Sequence, residues 1–438
     1  MTIKRWFYLC SVTALGLCGC GGSGGGGGSH SSTVVLNLNG LSVAFAAFQD
    51  GSAAWKPVTP SGGKLTLTVT NSAGKYGVAV VDAKSNVTIF EATTAELTSI
   101  YFPTQTSSAT VSGTISDLTG EMNLAAVDNF TQESNGSYTF PCSLTPTWDL
   151  VAQVVDANSN PLTMAVRRSL NAAATTQNFD ATSSDFQAVV PFTLGVSGPS
   201  GASSLNGFVD LRTPNGTVCE VDNGQGTTSL PFGALAVSQR AAGDEYEYGA
   251  FNSGPTGGSV SQDAIAVAFA KTPGNFRVTA PSLAAQGTVT TVASGSKYLA
   301  QASWTPDPSA KLFEFLLQKN AAGAPLFEAL VTSGWLGGGA AKSYTSPDLS
   351  SVTGWNSSWD LTSNMIYNYE GLASSWPDSA WFAPTLSPPD GSTATVWLQS
   401  GGGSAADVRS LRDRITFSSS FLRQFLPGRP RPAKKTLP

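Results

Sequence analysis

Imidazole is nearly missing from this chain. Its single histidine, His30, stands in a glycine run near the N-terminus, so the part of the sequence with a folding pattern holds no histidine for a Ser-His-Asp or Cys-His relay, and none for a histidine-ligated metal. Cysteine is almost as scarce. Cys10, Cys18 and Cys20 fall within the first twenty residues, which leaves Cys142 and Cys219. Two thiols cannot build a four-cysteine zinc site, but an oxidising compartment lets them pair, stapling neighbouring modules across 77 positions. Charged residues make up only 12%, half the usual share. The net charge of −5 divides into +2 in the first 19 residues, +6 over 405–438 and −13 in the body between them. An acidic body excludes nucleic acid as the partner class. No metal or other cofactor is expected.

Glycine, serine, threonine and alanine fill the space between short runs of Val, Leu and Phe. At 438 residues the chain has length for three or four domains, each with its own core. Lys4 and Arg5 precede the apolar run Trp6 to Leu17, which is too short to span a bilayer and reads as a secretory signal. Leu17-Cys18-Gly19-Cys20 follows, and it resembles the lipobox of bacterial lipoprotein precursors. The resemblance implies a diacylglycerol on the Cys20 thiol, cleavage before Cys20 and N-acylation with a fatty acid such as palmitate. Two or three acyl chains anchor stably in a membrane where one does not. Gly21 is not the aspartate that favours inner-membrane retention in enterobacterial lipoproteins, so the resemblance points to the outer membrane rather than the inner. The run GGSGGGGGSHSS then reads as a flexible tether of about 20 Å.

From Val34 the pattern is period two with turn punctuation, as in Leu65-Leu67-Val69, and it predicts strands. Turn chemistry is explicit at Gln49-Asp50-Gly51, Asn71 to Gly74 and Asp82 to Asn86. A repeat is visible: Val80-Val81-Asp82-Ala83-Lys84-Ser85-Asn86 returns as Val154-Val155-Asp156-Ala157-Asn158-Ser159-Asn160. Phe45 to Phe48 likewise matches Leu124 to Val127, and Leu65-Leu67-Val69 matches Tyr138-Phe140-Cys142. The expected fold class is all-β, with tandem β-sandwich modules after a lipidated flexible tether and a short C-terminal amphipathic helix. The expected division is 1–19 signal peptide, 20–33 tether, 34–106 first module, 107–185 its repeat, 186–286 third module, 287–400 fourth module and 401–438 tail. In the fourth, Tyr298 to Pro306 with Trp304, followed by Phe313 to Leu317, resembles the early strands of fibronectin type III modules, within an immunoglobulin-like architecture. That resemblance implies a buried Trp304 facing alternating aromatics.

Other chemistry is ambiguous. The Ser-x-x-Lys pattern occurs three times, at Ser61/Lys64, Ser72/Lys75 and Ser294/Lys297, each time in a turn rather than at a helix start. The loops at Asp82 and Asp156 begin like calcium loops but lack the sixth-position glycine and the closing glutamate. Asp244, Glu245 and Glu247 alternate with Tyr246 and Tyr248, so Glu245 and Glu247 share a strand face. They read either as a glycosidase carboxylate pair or as a solvated acidic edge that discourages sheet-to-sheet association. Trp335, Trp355, Trp359, Trp376, Trp381 and Trp397 crowd the fourth module. They are either candidates for stacking on sugar rings, with Asn356 or Asp360 bonding hydroxyls, or fillers of a core built from small residues.

In the tail, Ser404 can cap a helix beginning at Ala405, weakened in its middle by Ser418-Ser419-Ser420 and ended by Pro427, whose Val408, Leu411, Ile415, Leu422 and Phe425 share a face, with Arg409, Arg412, Arg414 and Arg423 mainly around it. A basic amphipathic segment of this kind is drawn to anionic lipid or to an acidic surface such as the chain's own body. The sequence as a whole reads as a lipid-anchored envelope protein of non-enzymatic binding or scaffold type, with the membrane and an envelope glycan or protein as partners. A carbohydrate-binding protein using residues 335–397 and a carboxylate-dependent glycosidase are the alternatives.

Overall fold

The computed structural model describes residues 31–102, 107–127, 129–202, 204–226, 228–254, 260–319, 324–377, 382 and 388–402. The signal segment, Cys20, Trp381 and the basic tail lie outside them. Among the described residues, helix is scarce: α1 (Ser333–Leu336) and the 3-10 turns Val237–Gln239 and Ser357–Trp359 are short. The fold is all-β.

One strand arrangement recurs along the chain. In the first group, β1 (Ser32–Asn37), β2 (Val43–Asp50), β3 (Lys56–Pro57), β4 (Lys64–Val69), β5 (Lys75–Asp82), β6 (Val87–Thr93) and β7 (Ser99–Tyr101) form two sets. β1 lies between antiparallel β4 and parallel β7, while β5 lies between β2 and β6 and β3 extends the β2 edge. The second group is β8 (Ser107–Ser116), β9 (Glu121–Ala126), β10 (Asn129–Glu133), β11 (Gly136–Leu144), β12 (Thr147–Val155), β13 (Pro161–Asn171) and β14 (Phe179–Asp180), and it repeats every one of those pairings in order. The short β15 (Gln187–Ala188) adds to β13.

The third group is β16 (Val190–Ser197), β17 (Ser204–Arg212), β18 (Val218–Gln225), β19 (Ser229–Ala234), β20 (Glu245–Ser253), β21 (Ser261–Ala270) and β22 (Phe276–Thr279), again with the same pairings. The fourth is β23 (Thr288–Ser294), β24 (Lys297–Trp304), β25 (Leu312–Gln318), β26 (Leu326–Thr332), β27 (Lys342–Thr345), β28 (Ile366–Ser374) and β29 (Thr393–Gly401). Here β24 takes the central place of β1, and the strand at its free edge is the preceding antiparallel β23 instead of a following parallel one. We refer to the groups as modules 1 to 4.

The segments that match in sequence occupy equivalent strands: Phe45 to Phe48 in β2 and Leu124 to Ala126 in β9, Leu65 to Val69 in β4 and Tyr138 to Cys142 in β11. The two Asp-to-Asn loops are equivalent turns. The Asp82 carboxylate accepts from the amides of Lys84 (2.8 Å) and Asn86 (2.9 Å), and Asp156 does the same for Asn158 (2.8 Å) and Asn160 (2.9 Å). Ser85 and Ser159 both adopt positive φ, 68° and 65°. These carboxylates bond turn backbone, as Asx side chains do.

Modules 1, 3 and 4 are not separate sandwiches. Their larger sheets join edge to edge into one twelve-stranded sheet, in the order β18-β17-β20-β21-β29-β28-β25-β26-β6-β5-β2-β3. β29 pairs with β21 from Ser261 to Ala268, and β26 runs parallel to β6 from Val87 to Glu91. Strands inside this sheet are covered on both faces, which is why β5, β20, β25 and β26 are buried almost throughout instead of alternating as β4 does. Module 2 keeps its own five-stranded sheet.

Two expectations are corrected by this arrangement. β20 is an interior strand between β17 and β21, so Asp244, Glu245 and Glu247 do not form a solvated edge; all three are buried. Cys142 lies in the core of module 2 and Cys219 in that of module 3, as separate thiols. The Cys142 thiol donates to the Ala126 carbonyl at 2.9 Å, and burial pushes the Cys219 thiol well above its ordinary pKa. No staple joins the modules through them, because each thiol is buried inside a different core.

Candidate ligand cleft

The sequence-derived candidates fall into three settings. The carboxylates of β20 are structural. Arg168 grips Asp244 with both guanidinium arms, at 2.8 and 2.7 Å, and Arg212 Nε meets Glu247 at 2.7 Å. Burial lifts the Glu245 carboxyl to about 7, with Arg212 pulling the other way, and raises Glu247 as well. The shifts come from depth within a sheet, where a sugar ring has no access.

Two tryptophans are core residues. Trp376, on the crossover between β28 and β29, packs edge-on against Phe269 at 5.8 Å, and Trp397 is buried on β29 with its Nε1 donating to the Ser282 carbonyl. Trp376 is therefore corrected from a stacking candidate to core, because the crossover folds it onto the sheet. Trp304 is buried on β24 against Phe313, Phe315 and Tyr369. Trp335 is half-buried on α1, with the Lys75 ammonium 5.7 Å from its ring centre and donating to its carbonyl at 2.7 Å.

Trp355 and Trp359 remain, and these two meet. The 3-10 turn Ser357–Trp359 places them edge to face, 5.3 Å apart. The Asn356 carbonyl and side chain hold that turn by accepting from the amides of Trp359 (3.0 Å) and Ser358 (2.9 Å). Phe45 of module 1 packs against both rings, at 5.5 and 5.7 Å, and Trp355 Nε1 donates to Asp360 at 2.8 Å. Trp355, Trp359, Asp360 and Leu361 form one wall of a cleft of about 340 Å³ including its open side. Lys297, Tyr298 and Leu299 of β24 and the Ser346 to Leu349 segment line the rest, and Ile89 of β6 with Phe327 of β26 form its floor. A bridge between Tyr298 and Leu361 ties the walls together.

The cleft thus lies at the junction of modules 1 and 4. It offers aromatic surface, two carboxylates and one ammonium. Asp348 is held below its ordinary pKa, first by its hydrogen bond from Ser350 and also by Lys297, so it is an ionised acceptor rather than a proton donor. Apolar walls with a few fixed polar groups are the usual makeup of a ligand seat. Reading the sequence found Trp355, Trp359 and Asp360 but missed Lys297, Tyr298, Asp348, Ile89 and Phe327. Nothing local marks those five, since they come from four separate stretches of the chain that only the tertiary fold brings together.

No family model matches the sequence, and no curated protein matches it. Among solved structures, one described as a putative adhesin from Bacteroides ovatus aligns at 9% identity with a TM-score of 0.14, covering 38% of this chain and 79% of that one. A superposition that poor carries no argument about function.

Proposed function

We propose that the chain is a non-enzymatic binding protein of the cell envelope, held to the membrane by lipid on Cys20, whose ligand seat is the cleft between modules 1 and 4. The observation that carries this reading is the division of labour among polar groups. The strongly perturbed carboxylates are buried inside the sheets, while the open cleft pairs an ionised Asp348 with half-buried aromatic rings. General acid catalysis needs a carboxyl that can hold and release a proton beside the substrate. Glu247, wholly buried and tied to Arg212, is not placed for that.

A carbohydrate is the ligand class the cleft fits best. Sugar rings stack their apolar faces on partly exposed indoles and give hydroxyls to carboxylates, and Trp359 and Asp348 both line the cleft. The test is a glycan array with the chain from residue 20 onward carrying Cys20→Ser, compared with the same chain bearing Trp359→Ala or Asp348→Asn. Binding weakened at least tenfold by either change supports the cleft. Hydrolysis of a bound glycan that Glu245→Gln abolishes would restore the glycosidase reading. For the anchor, unchanged membrane fractionation of full-length Cys20→Ser would rule out attachment through that thiol.

A further inference from the structure

An edge strand presents a row of N–H and C=O groups to any other strand, and folded proteins blunt it with proline, with charge or by keeping it short. Among the described residues, six sheets end in such edges. Proline stands in β3, β11 and β19, as Pro57, Pro141 and Pro231. A charged side chain stands in β4, β10, β14, β18, β22 and β27, at Lys64, Glu133, Asp180, Glu220, Arg277 and Lys342. β7 and β15 are only three and two residues long.

β23 has none of these devices. Its seven residues, Thr288–Ser294, include no charge and no proline, and five of them are β-branched, which is the composition that favours strand pairing. Among the described residues it pairs with β24 alone, and no residue of the strand is buried. In modules 1 to 3 the corresponding edge is the shorter, parallel β7, β14 or β22. Module 4 alone puts a long antiparallel strand there.

The hairpin fixes where the backbone groups of β23 point. Ser294 faces Lys297 across the two-residue loop Gly295-Ser296, with Gly295 at φ 63°, and the pair that closes such a loop is hydrogen-bonded. Bonded and non-bonded pairs alternate along an antiparallel ladder, so Val289, Thr291 and Ala293 turn their N–H and C=O groups away from β24. Gly287, of the same parity, behaves this way: its amide donates to Gln399 Oε1 at 2.9 Å and its carbonyl accepts from Gln399 Nε2 at 2.8 Å.

A second β23 matches that row. With a two-fold axis at Thr291, Thr291 meets itself and Val289 meets Ala293 as hydrogen-bonded pairs, while Thr290 meets Val292 and Thr288 meets Ser294 between them. Threonine and β-branched pairs of this kind stabilise a ladder, and no charge faces its like. Charge also favours this part of the surface for self-association. The body of the chain carries −13, which repels a second copy, but β23, β24 and β27 carry Lys297 and Lys342 and no carboxylate.

We propose that β23 is a self-association edge, pairing antiparallel with β23 of a second copy about a two-fold axis at Thr291, so that two three-stranded sheets become one of six strands. The chain joins its own modules edge to edge in the same manner, through β29 with β21 and β26 with β6. Strand spacing and rise set the Tyr298 residues of the two copies, each in its own cleft, about 20 Å apart.

The test is sedimentation of the chain from residue 20 carrying Cys20→Ser at about 100 μM, where a dimer is expected. Thr291→Pro removes an N–H that points away from β24, so the hairpin keeps its bonds while association should weaken at least tenfold. Thr290→Lys, at an exposed position, places charge on the edge without entering the core and should weaken it as much. Thr290→Lys and Val292→Glu stand opposite each other in this register, so mixing the two variants should restore a dimer. A chain that sediments as a monomer at that concentration would overturn the proposal. So would a dimer that Thr291→Pro and Thr290→Lys both leave unchanged, and loss in both without recovery in the mixture would overturn the register.

Discussion

Modules 1, 3 and 4 share backbone hydrogen bonds across their boundaries, whereas module 2 meets module 3 mainly through side chains. At the seam of modules 1 and 4, the parallel ladder of β26 and β6 is flanked by Asn86 Oδ1 accepting from Leu326 N at 3.0 Å. Beyond it, Glu96 accepts from Thr332 Oγ1 at 2.5 Å and Gly334 N at 2.7 Å. At the joint of modules 2 and 3, Ala125, Val151 and Met164 pack into the third core. Arg168 bridges Asp149 and Asp244, and Thr217 Oγ1 donates to the Asp149 carbonyl at 2.6 Å. The difference is one of redundancy. A continued sheet spreads its cohesion over many backbone bonds and leaves no internal edge to protect, but the other joint concentrates buried charge on one guanidinium.

The sharpest way to test that contrast is to damage one side of it alone. Trp148, wholly buried in module 2, donates through Nε1 to the Asn171 carbonyl at 3.0 Å. Trp148→Ala should cost about 3 to 5 kcal/mol, and calorimetry should show the transition of module 2 moving to lower temperature while that of the fused sheet stays in place. A single transition that shifts as a whole would mean that all four modules unfold as one unit.

Arg168→Ala should cost about 3 kcal/mol, because it leaves two buried carboxylates without their guanidinium. Proteolysis at the 188–190 connection should accelerate in parallel. An effect below about 1 kcal/mol would show that the joint is held by its apolar contacts instead.

Proton linkage probes the fused sheet. Burial raises the carboxyls of Glu91 and Glu245 to about 7 from an ordinary 4.5, with Tyr344 and Arg212 respectively pulling the other way. Between those values the folded chain holds protons that the unfolded chain has released, so stability falls as pH rises. The contribution is complete below pH 4.5 and lost above about 7. Denaturant unfolding should yield about 2 to 3 kcal/mol less per group at pH 8 than at pH 4.5, and Glu91→Gln should remove its share of the slope. A flat profile over that range would contradict the assignment.

The smallest effect is expected at the seam. Thr88 Oγ1 donates to Glu328 Oε2 at 3.1 Å, and Thr88→Val should cost about 1 kcal/mol without separating the modules. A loss as large as that of Arg168→Ala would erase the distinction between the two kinds of joint.

Period-two alternation and Gly/Asn/Asp turns made the strands of modules 1 and 2 legible, because both signals are local and cover four to eight residues. β4 shows its alternation openly. Alternation fails in β20 and β25, which are covered on both faces, and in β20 Glu245 and Glu247 looked like residues for solvent. Half of the cleft was readable for the same reason: Trp355, Trp359 and Asp360 lie within six residues, whereas Ile89, Phe327 and Tyr298 come together only across a module boundary.

The sequence by itself determined the all-β class, the recurring turn at Asp82 and Asp156, and the absence of histidine from the patterned region, since each depends on neighbours along the chain or on composition alone. Only the tertiary structure decided that three modules merge their sheets, that the β20 carboxylates are interior, and that Trp355 and Trp359 line a cleft while Trp376 and Trp397 fill cores. Those outcomes depend on which strand edges meet. Any strand edge offers the same unpaired N–H and C=O groups to every other, so the choice of partner is made by the fit of whole faces rather than by a local code.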